Sequence, residues 1–229
     1  MYWDATYILV LIGAVISAIA SANVNRTYSR FRKVSNARHL TSEAVAEMIL
    51  HSAGIYDVRI ERIKGSLTDH YSPKEKVLRL SDTVYGSTSV AAIGVAAHEC
   101  GHAIQHQEEY KPLALRSASV PIANFGSRLS WPLILIGILL GVNGLAQAGV
   151  ILFTFVVLFQ LITLPVEFNA SSRALRILRD HQILVGNEMT GAEKVLRAAA
   201  LTYVAALFSS ILQLLRLILI TQGGNRRRR

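Results

Sequence analysis

The sequence predicts a mainly α-helical membrane protein with a small β-sheet. Three observations carry that prediction. Apolar side chains make up 52% of the 229 residues and charged ones only 17%, against about 25% charged in ordinary soluble domains. The apolar residues gather in long uncharged blocks near the N-terminus, in the middle and towards the C-terminus. The polar residues between the first two blocks mix helical periodicity with short runs of alternating character.

This composition excludes intrinsic disorder, which needs low hydrophobicity. The single cysteine, Cys100, excludes an internal disulfide and a four-cysteine zinc cage. A net charge of +9 must face something anionic, either nucleic acid or lipid headgroups.

Residues 5–22 carry no charge and approach the roughly 20 residues that cross a bilayer. Tyr2 and Trp3 are placed as interfacial aromatics. Ala20-Ser21-Ala22 resembles a signal-peptide cleavage site, but Asp4 stands where such a peptide needs a positive charge. The basic cluster Arg26, Arg30, Arg32, Lys33 and Arg38 that follows resists translocation. The segment is therefore expected to be an uncleaved anchor, with its N-terminus outside and the chain from Asn23 in the cytoplasm.

Residues 23–127 are expected to form a cytoplasmic domain. Thr41 to Ser52 reads as an amphipathic helix with Val45, Met48 and Ile49 on its apolar face and Gly54 past its end. Tyr56 to Ile63 and Val77 to Leu80 alternate as strands, separated by Gly65 and Pro73. Ser87 to Gln107 reads as one long helix, apolar first and polar later. Residues 131–166 form an apolar hairpin broken at Gly141-Val142-Asn143-Gly144. Its first arm extends back towards Pro121, with Arg128 snorkelling, and its second returns to the cytoplasm near Pro165. Residues 167–197 form a cytoplasmic helix, with Pro165 as a helix-starting signal. Residues 198–220 are long and apolar enough to span but contain Gln213 and Arg216. The basic tail 221–229 ends in Arg226 to Arg229, which a simple count of spans would leave outside, against the positive-inside rule. That block is thus read as either transmembrane or interfacial.

The chemistry lies in His98-Glu99-Cys100-Gly101-His102. An HExxH on a helix sets two imidazoles about 400° and about 6 Å apart, so both face one tetrahedral metal ion. The apolar run Val90 to Ala97 supplies the helical context. Glu99, off the ligand line, is placed to take a proton from a zinc-bound water as general base.

A catalytic zinc keeps three protein ligands and an open position. His106 lies about 12 Å along the helix from His98, too far for one ion unless the helix bends. Gln105 stands where the glycine of a HExxHxxGxxH site would be. Cys100 points away from the shared histidine face and reads as a core residue. Glu167, just past an apolar span, is a carboxylate in need of a partner, either zinc or the positive end of a helix. Ser171, four residues on, shares its face as a candidate to hold a ligand in place.

HECGHAIQH, the preceding LTDHYSPKEKVLRLS and the following TLPVEFNASSRA together resemble the YugP-type neutral zinc metallopeptidase family of bacterial membrane proteins, over nearly the whole chain. That family is similar to the membrane gluzincins, the HtpX-like and CAAX prenyl proteases. The resemblance implies a gluzincin-like core inserted between transmembrane helices, one Zn2+ per chain, and an active site facing the cytoplasm. His98, His102 and Glu167 would be its ligands and Glu99 its catalytic residue. Those relatives usually carry Asp four residues after the Glu, where this chain has Ser171. By the same resemblance Asp69-His70-Tyr71 precede a strand at whose edge a peptide is added. His70, Tyr71 and Arg173 are candidates to stabilise the oxyanion, against turn-capping for Asp69 and plain membrane proximity for Arg173.

The resulting expectation is a membrane-anchored zinc endopeptidase with protein or peptide substrates, seated in the lipid bilayer of a bacterial cell membrane. An intramembrane protease is disfavoured because Glu108, Glu109 and Lys111 follow the motif directly. A catalytically inactive zinc-binding scaffold would not need Glu99. Nucleic acid is not an expected partner, because the basic residues lack interleaved aromatics and suit lipid headgroups better.

Overall fold

The computed structural model describes residues 5–226, so Tyr2, Trp3, Asp4 and the last three arginines of the C-terminal run lie outside it. The described chain runs α1 (Tyr7–Phe31), α2 (Ser42–Ser52), β1 (Arg59–Ile63), β2 (His70–Ser72), β3 (Val77–Ser81), α3 (Val90–Gln107), α4 (Lys111–Leu140), α5 (Asn143–Asp180) and α6 (Asn187–Arg226). It is mainly α with one three-stranded sheet, and α1, α4, α5 and α6 are each long and apolar enough to cross a membrane.

Local chemistry sets several boundaries. Ser89 is extended and caps α3 by accepting the Ala92 N–H at 3.2 Å, so residues 87–89 stay outside the helix. Pro165 does not start a helix. It lies inside α5, one of the proline-containing apolar helices that neighbouring helices and hydroxyl side chains can support. Glu167 consequently rides on the same continuous helix as the second arm of the hairpin. The arms part at Gly141, which takes a φ of 69° that a side chain would disfavour.

By packing, the chain divides into two compact units. One comprises Ala22–Ala114 and Pro165–Leu201. Its sheet has the order β1-β3-β2, with β1 parallel to β3 (Arg59 opposite Val77 through Ile63 opposite Ser81) and β2 antiparallel to it (Tyr71 opposite Leu78). Central β3 buries Leu78 and Leu80 against Val45, Ile49 and Leu50 of α2, Ile93, Ala96 and Ala97 of α3, and Leu178 of α5. Alanines dominate α3 because neighbouring backbones lie close: Ala192 of α6 backs Gly94, and Ala170 of α5 backs Gly101.

The other unit holds the chain through Ser21, Leu115–Leu164 and the chain from Thr202. Here α4 and α5 meet on glycine. A Cβ on Gly137 would lie 2.4 Å from the Ala146 backbone nitrogen, and one on Gly149 would lie 2.7 Å from the Ser130 carbonyl oxygen. Helices α1 and α6 run antiparallel along each other. Ser209 donates to the Gly13 carbonyl at 2.8 Å and lies 2.9 Å from the Ser17 hydroxyl, while the Arg216 guanidinium stacks on Tyr7 at 4.1 Å. Small-residue and hydroxyl contacts of this kind hold helices together where lipid removes the hydrophobic drive. Ile8, Leu11, Ile19, Leu139, Leu140 and Ile151 are left exposed.

Candidate metal centre

Helical spacing on α3 brings the His98 and His102 rings to 4.8 Å between centroids, nearly perpendicular at 83°. Glu167, from α5, is 2% exposed and reaches both rings: its Oε2 lies 3.2 Å from His98 Nε2 and 3.6 Å from His102 Nε2. Gly101 permits this approach. A Cβ at that position would stand 2.6 Å from the Ala170 carbonyl oxygen, so the small residue inside the HExxH motif lets α5 close on α3.

The donor set fits a zinc ion. Ligands at about 2.0 to 2.2 Å in tetrahedral geometry stand roughly 3.3 to 3.6 Å apart, and the two nitrogen-to-carboxylate separations match that spacing. Among the described residues this is the one His, Cys, Asp and Glu cluster whose ligand atoms converge so closely, all within 4.8 Å. Each imidazole also has its outer nitrogen engaged. His98 Nδ1 is 3.0 Å from the Ser171 hydroxyl, and His102 Nδ1 is 3.0 Å from Gln105 Oε1. With Nδ1–H donated outward, each Nε2 lone pair faces the shared point. Burial pulls the His102 pKa down. The hydrogen bond with Glu167 and the charges of Glu99 and Glu167 outweigh it and raise the pKa above its usual value, the mark of a donor set with surplus negative charge.

The hydrogen-bonding roles of Gln105 and Asn169 are not legible in the sequence. Gln105 is fully buried, accepts from His102, and donates at 2.9 Å to both the Val166 carbonyl and Asn169 Oδ1. Asn169 Oδ1 also accepts Arg173 Nε at 2.7 Å, and Arg173 Nη1 pairs with Glu108 at 2.7 Å while stacking over Tyr110. Arg173 is thus the outer end of a chain leading to His102, and its guanidinium is turned to Glu108. The available signal was position: three residues beyond His102, a glutamine shares the buried side of the helix.

Glu99 is 8% exposed, and its Oε2 accepts the Tyr71 backbone N–H at 3.0 Å. Tyr71 belongs to β2, the edge strand, so the sheet edge lies directly beside this carboxylate. The Tyr71 hydroxyl shares a 2.9 Å hydrogen bond with His106 Nδ1, which turns His106 away from the converging donors. Burial pushes the Tyr71 hydroxyl up to about 12, so it keeps its proton. His70 instead bonds the Thr68 carbonyl at 2.9 Å. Asp69 caps the end of β3, accepting from Ser81 N at 2.7 Å and Ser81 Oγ at 2.9 Å. Cys100 is buried in the core beside Ala46, and burial drives its thiol far above the usual range.

Comparison with known proteins agrees with this chemistry. The chain is 47% identical over 219 residues to a protein of Bacillus subtilis (strain 168) named "Putative membrane protease YugP", covering 95% of this chain and 97% of that one. No solved structure matches. A family model described as "Putative neutral zinc metallopeptidase" matches residues 6–222, nearly the whole length over which the histidines, the distant glutamate and the apolar helices are spread, and the chain belongs to that family.

Proposed function

We propose that this chain is a membrane-anchored zinc-dependent endopeptidase with its active site on the cytoplasmic side of a bacterial cell membrane. The observation that carries the reading is the convergence of His98 Nε2, His102 Nε2 and Glu167 Oε2 beside the buried carboxylate of Glu99. A purely structural zinc site closes its coordination with four protein ligands, whereas three leave a position for chemistry.

In this reading His98, His102 and Glu167 hold one Zn2+ per chain. The ion would supply Lewis acidity, polarising the scissile carbonyl and making water more acidic. The remaining work falls to the protein. Glu99 takes the proton of the attacking water and passes it to the leaving amine nitrogen as the bond breaks, acting first as base and then as acid. The outer edge of β2 receives an extended segment of protein or peptide substrate as an added strand. Ser171 and Gln105 keep the two imidazoles oriented.

The four apolar helices span the bilayer, with residues 5–22 entering from outside, 131–166 forming a hairpin and 198–220 crossing last. Antiparallel packing of α6 on α1 supports a full crossing for α6. Residues 23–127 and 167–197 then share the cytoplasmic side, where their many lysines and arginines belong by the positive-inside rule.

The test is elemental analysis of the purified wild type, Glu99→Gln and Glu167→Ala, each paired with cleavage of an unstructured reporter protein. The expected result is about one zinc per chain in wild type and Glu99→Gln, with cleavage lost in the latter, and weakened zinc in Glu167→Ala. Wild-type zinc content and cleavage in Glu167→Ala would overturn the ligand assignment. Zinc without any cleavage by wild type would favour a scaffold.

A further inference from the structure

Beyond His102, one helical turn along α3, Tyr71 and His106 form the wall of a cavity of about 740 Å³. Its apolar lining comes from Ile55, Val58, Ala103 and Ala114. Its charged lining residues balance in number: Asp57 pairs with Lys76, and Glu109 and Lys111 carry opposite charges. The Tyr71 and His106 rings, with centroids 5.9 Å apart and tilted by 50°, present aromatic faces and edges at its mouth.

Resting on the proteolytic reading above, we propose that this cavity is the specificity pocket of the enzyme and takes a bulky apolar or aromatic side chain of the polypeptide substrate. Tyr71 makes the connection. Its backbone N–H is on Glu99 while its side chain lines the cavity, so a peptide laid along β2 beside the catalytic carboxylate passes the cavity mouth. The lining selects the occupant. The aliphatic part of the lining, Ile55, Val58, Ala103 and Ala114, favours buried hydrocarbon. The two acidic and two basic lining residues cancel in number, which favours neither an acidic nor a basic side chain, and the two rings offer an aromatic occupant offset or edge-to-face contacts. The volume falls in the range of roughly 300 to 1,000 Å³ typical of ligand pockets, ample for the largest side chains.

The test is cleavage-site profiling by mass spectrometry, using a mixed peptide library and the full-length protein in detergent. Wild type is compared with Ala114→Trp, which starts from an exposed position, and with Val58→Phe, which fills the cavity from another side. The expected wild-type profile favours Phe, Tyr, Trp, Leu or Met at one subsite near the cut. Both variants should lose that preference about tenfold or more relative to small residues, with zinc content held at the wild-type level. Retention of the wild-type profile in both variants overturns the pocket while leaving the proteolytic reading standing. A zinc-loaded wild type that cleaves no peptide overturns both.

Discussion

The backbone N–H of Tyr71 donates to the Glu99 carboxylate at 3.0 Å, joining the outer edge of the sheet to the residue that HExxH chemistry requires as a base. The bond orients a carboxylate that is otherwise buried on the flank of α3. It also sets the edge strand β2, the proposed receiving edge for an extended peptide, beside that carboxylate, so the catalytic and binding parts of the proposed site meet at one hydrogen bond.

Glu99→Gln should therefore be a clean chemical lesion. The amide oxygen can still accept the Tyr71 N–H, so the fold and the metal ligands stay in place, while the proton acceptor is gone. Cleavage should fall by about 10²- to 10⁴-fold, with unchanged zinc content and melting temperature. A variant that retains most of its turnover would remove Glu99 from the mechanism.

Gln105 and Ser171 should matter to the metal without touching it. Each accepts from the Nδ1 side of one of the two proposed ligand histidines, and loss of such a partner typically weakens metal affinity by about 10- to 100-fold. Competition with a fluorescent zinc chelator should rank wild type above Ser171→Ala, and Ser171→Ala above Gln105→Leu. The second change costs more because it also strands the Val166 carbonyl and Asn169, which Gln105 serves at 2.9 Å. Equal affinities would mean that the imidazoles are held by packing alone.

The fourth residue of the motif, Gly101, carries a structural demand of its own. Gly101→Ala would press a methyl group to 2.6 Å from the Ala170 carbonyl oxygen, backbone that cannot rotate away. Overpacking of this kind costs about 1 to 3 kcal/mol. Because Ala170 lies three residues past Glu167 on α5, the displacement should also reach the metal donors. A lower melting temperature together with weakened zinc binding is expected, and wild-type zinc affinity would show that α5 can shift without moving Glu167.

The parts of this molecule that were legible in the sequence are those governed by local periodicity. The His98 and His102 pair is fixed by helical spacing, and the apolar blocks declare themselves by length. Glu167 became a candidate because a carboxylate directly past an apolar span is costly unless partnered. The sequence shows Gln105 only as the residue that excludes a HExxHxxGxxH site, because its role depends on where α5 lies: a glutamine on a helix means little until Val166 and Asn169 are seen beside it. Pro165 read as a helix start and proved internal to α5, since tertiary support can override a local stop signal. Strand β2 is three residues long and exists only through pairing with β3, which no local pattern announces.

Asp69 offers a pH-dependent test of the fold itself. Burial raises its pKa above the usual 3.8, and the repulsion of Glu99 adds to that, despite the hydrogen bonds from Ser81. A carboxyl with a raised folded-state pKa binds its proton more tightly in the native protein than in the unfolded chain. Its contribution to stability is therefore fully present below 3.8 and is lost as pH rises through the raised folded value. Asp69→Asn keeps an acceptor for Ser81 N and removes the titration. The melting temperature of the variant relative to wild type should consequently climb as pH rises from 3.8 through the raised folded value of Asp69 and then level off. The surface carboxylates common to both proteins cancel in the comparison. A difference that stays flat across that range would show that Asp69 is ionised in the native protein as readily as in the unfolded chain, and that its place at the end of β3 carries no electrostatic cost.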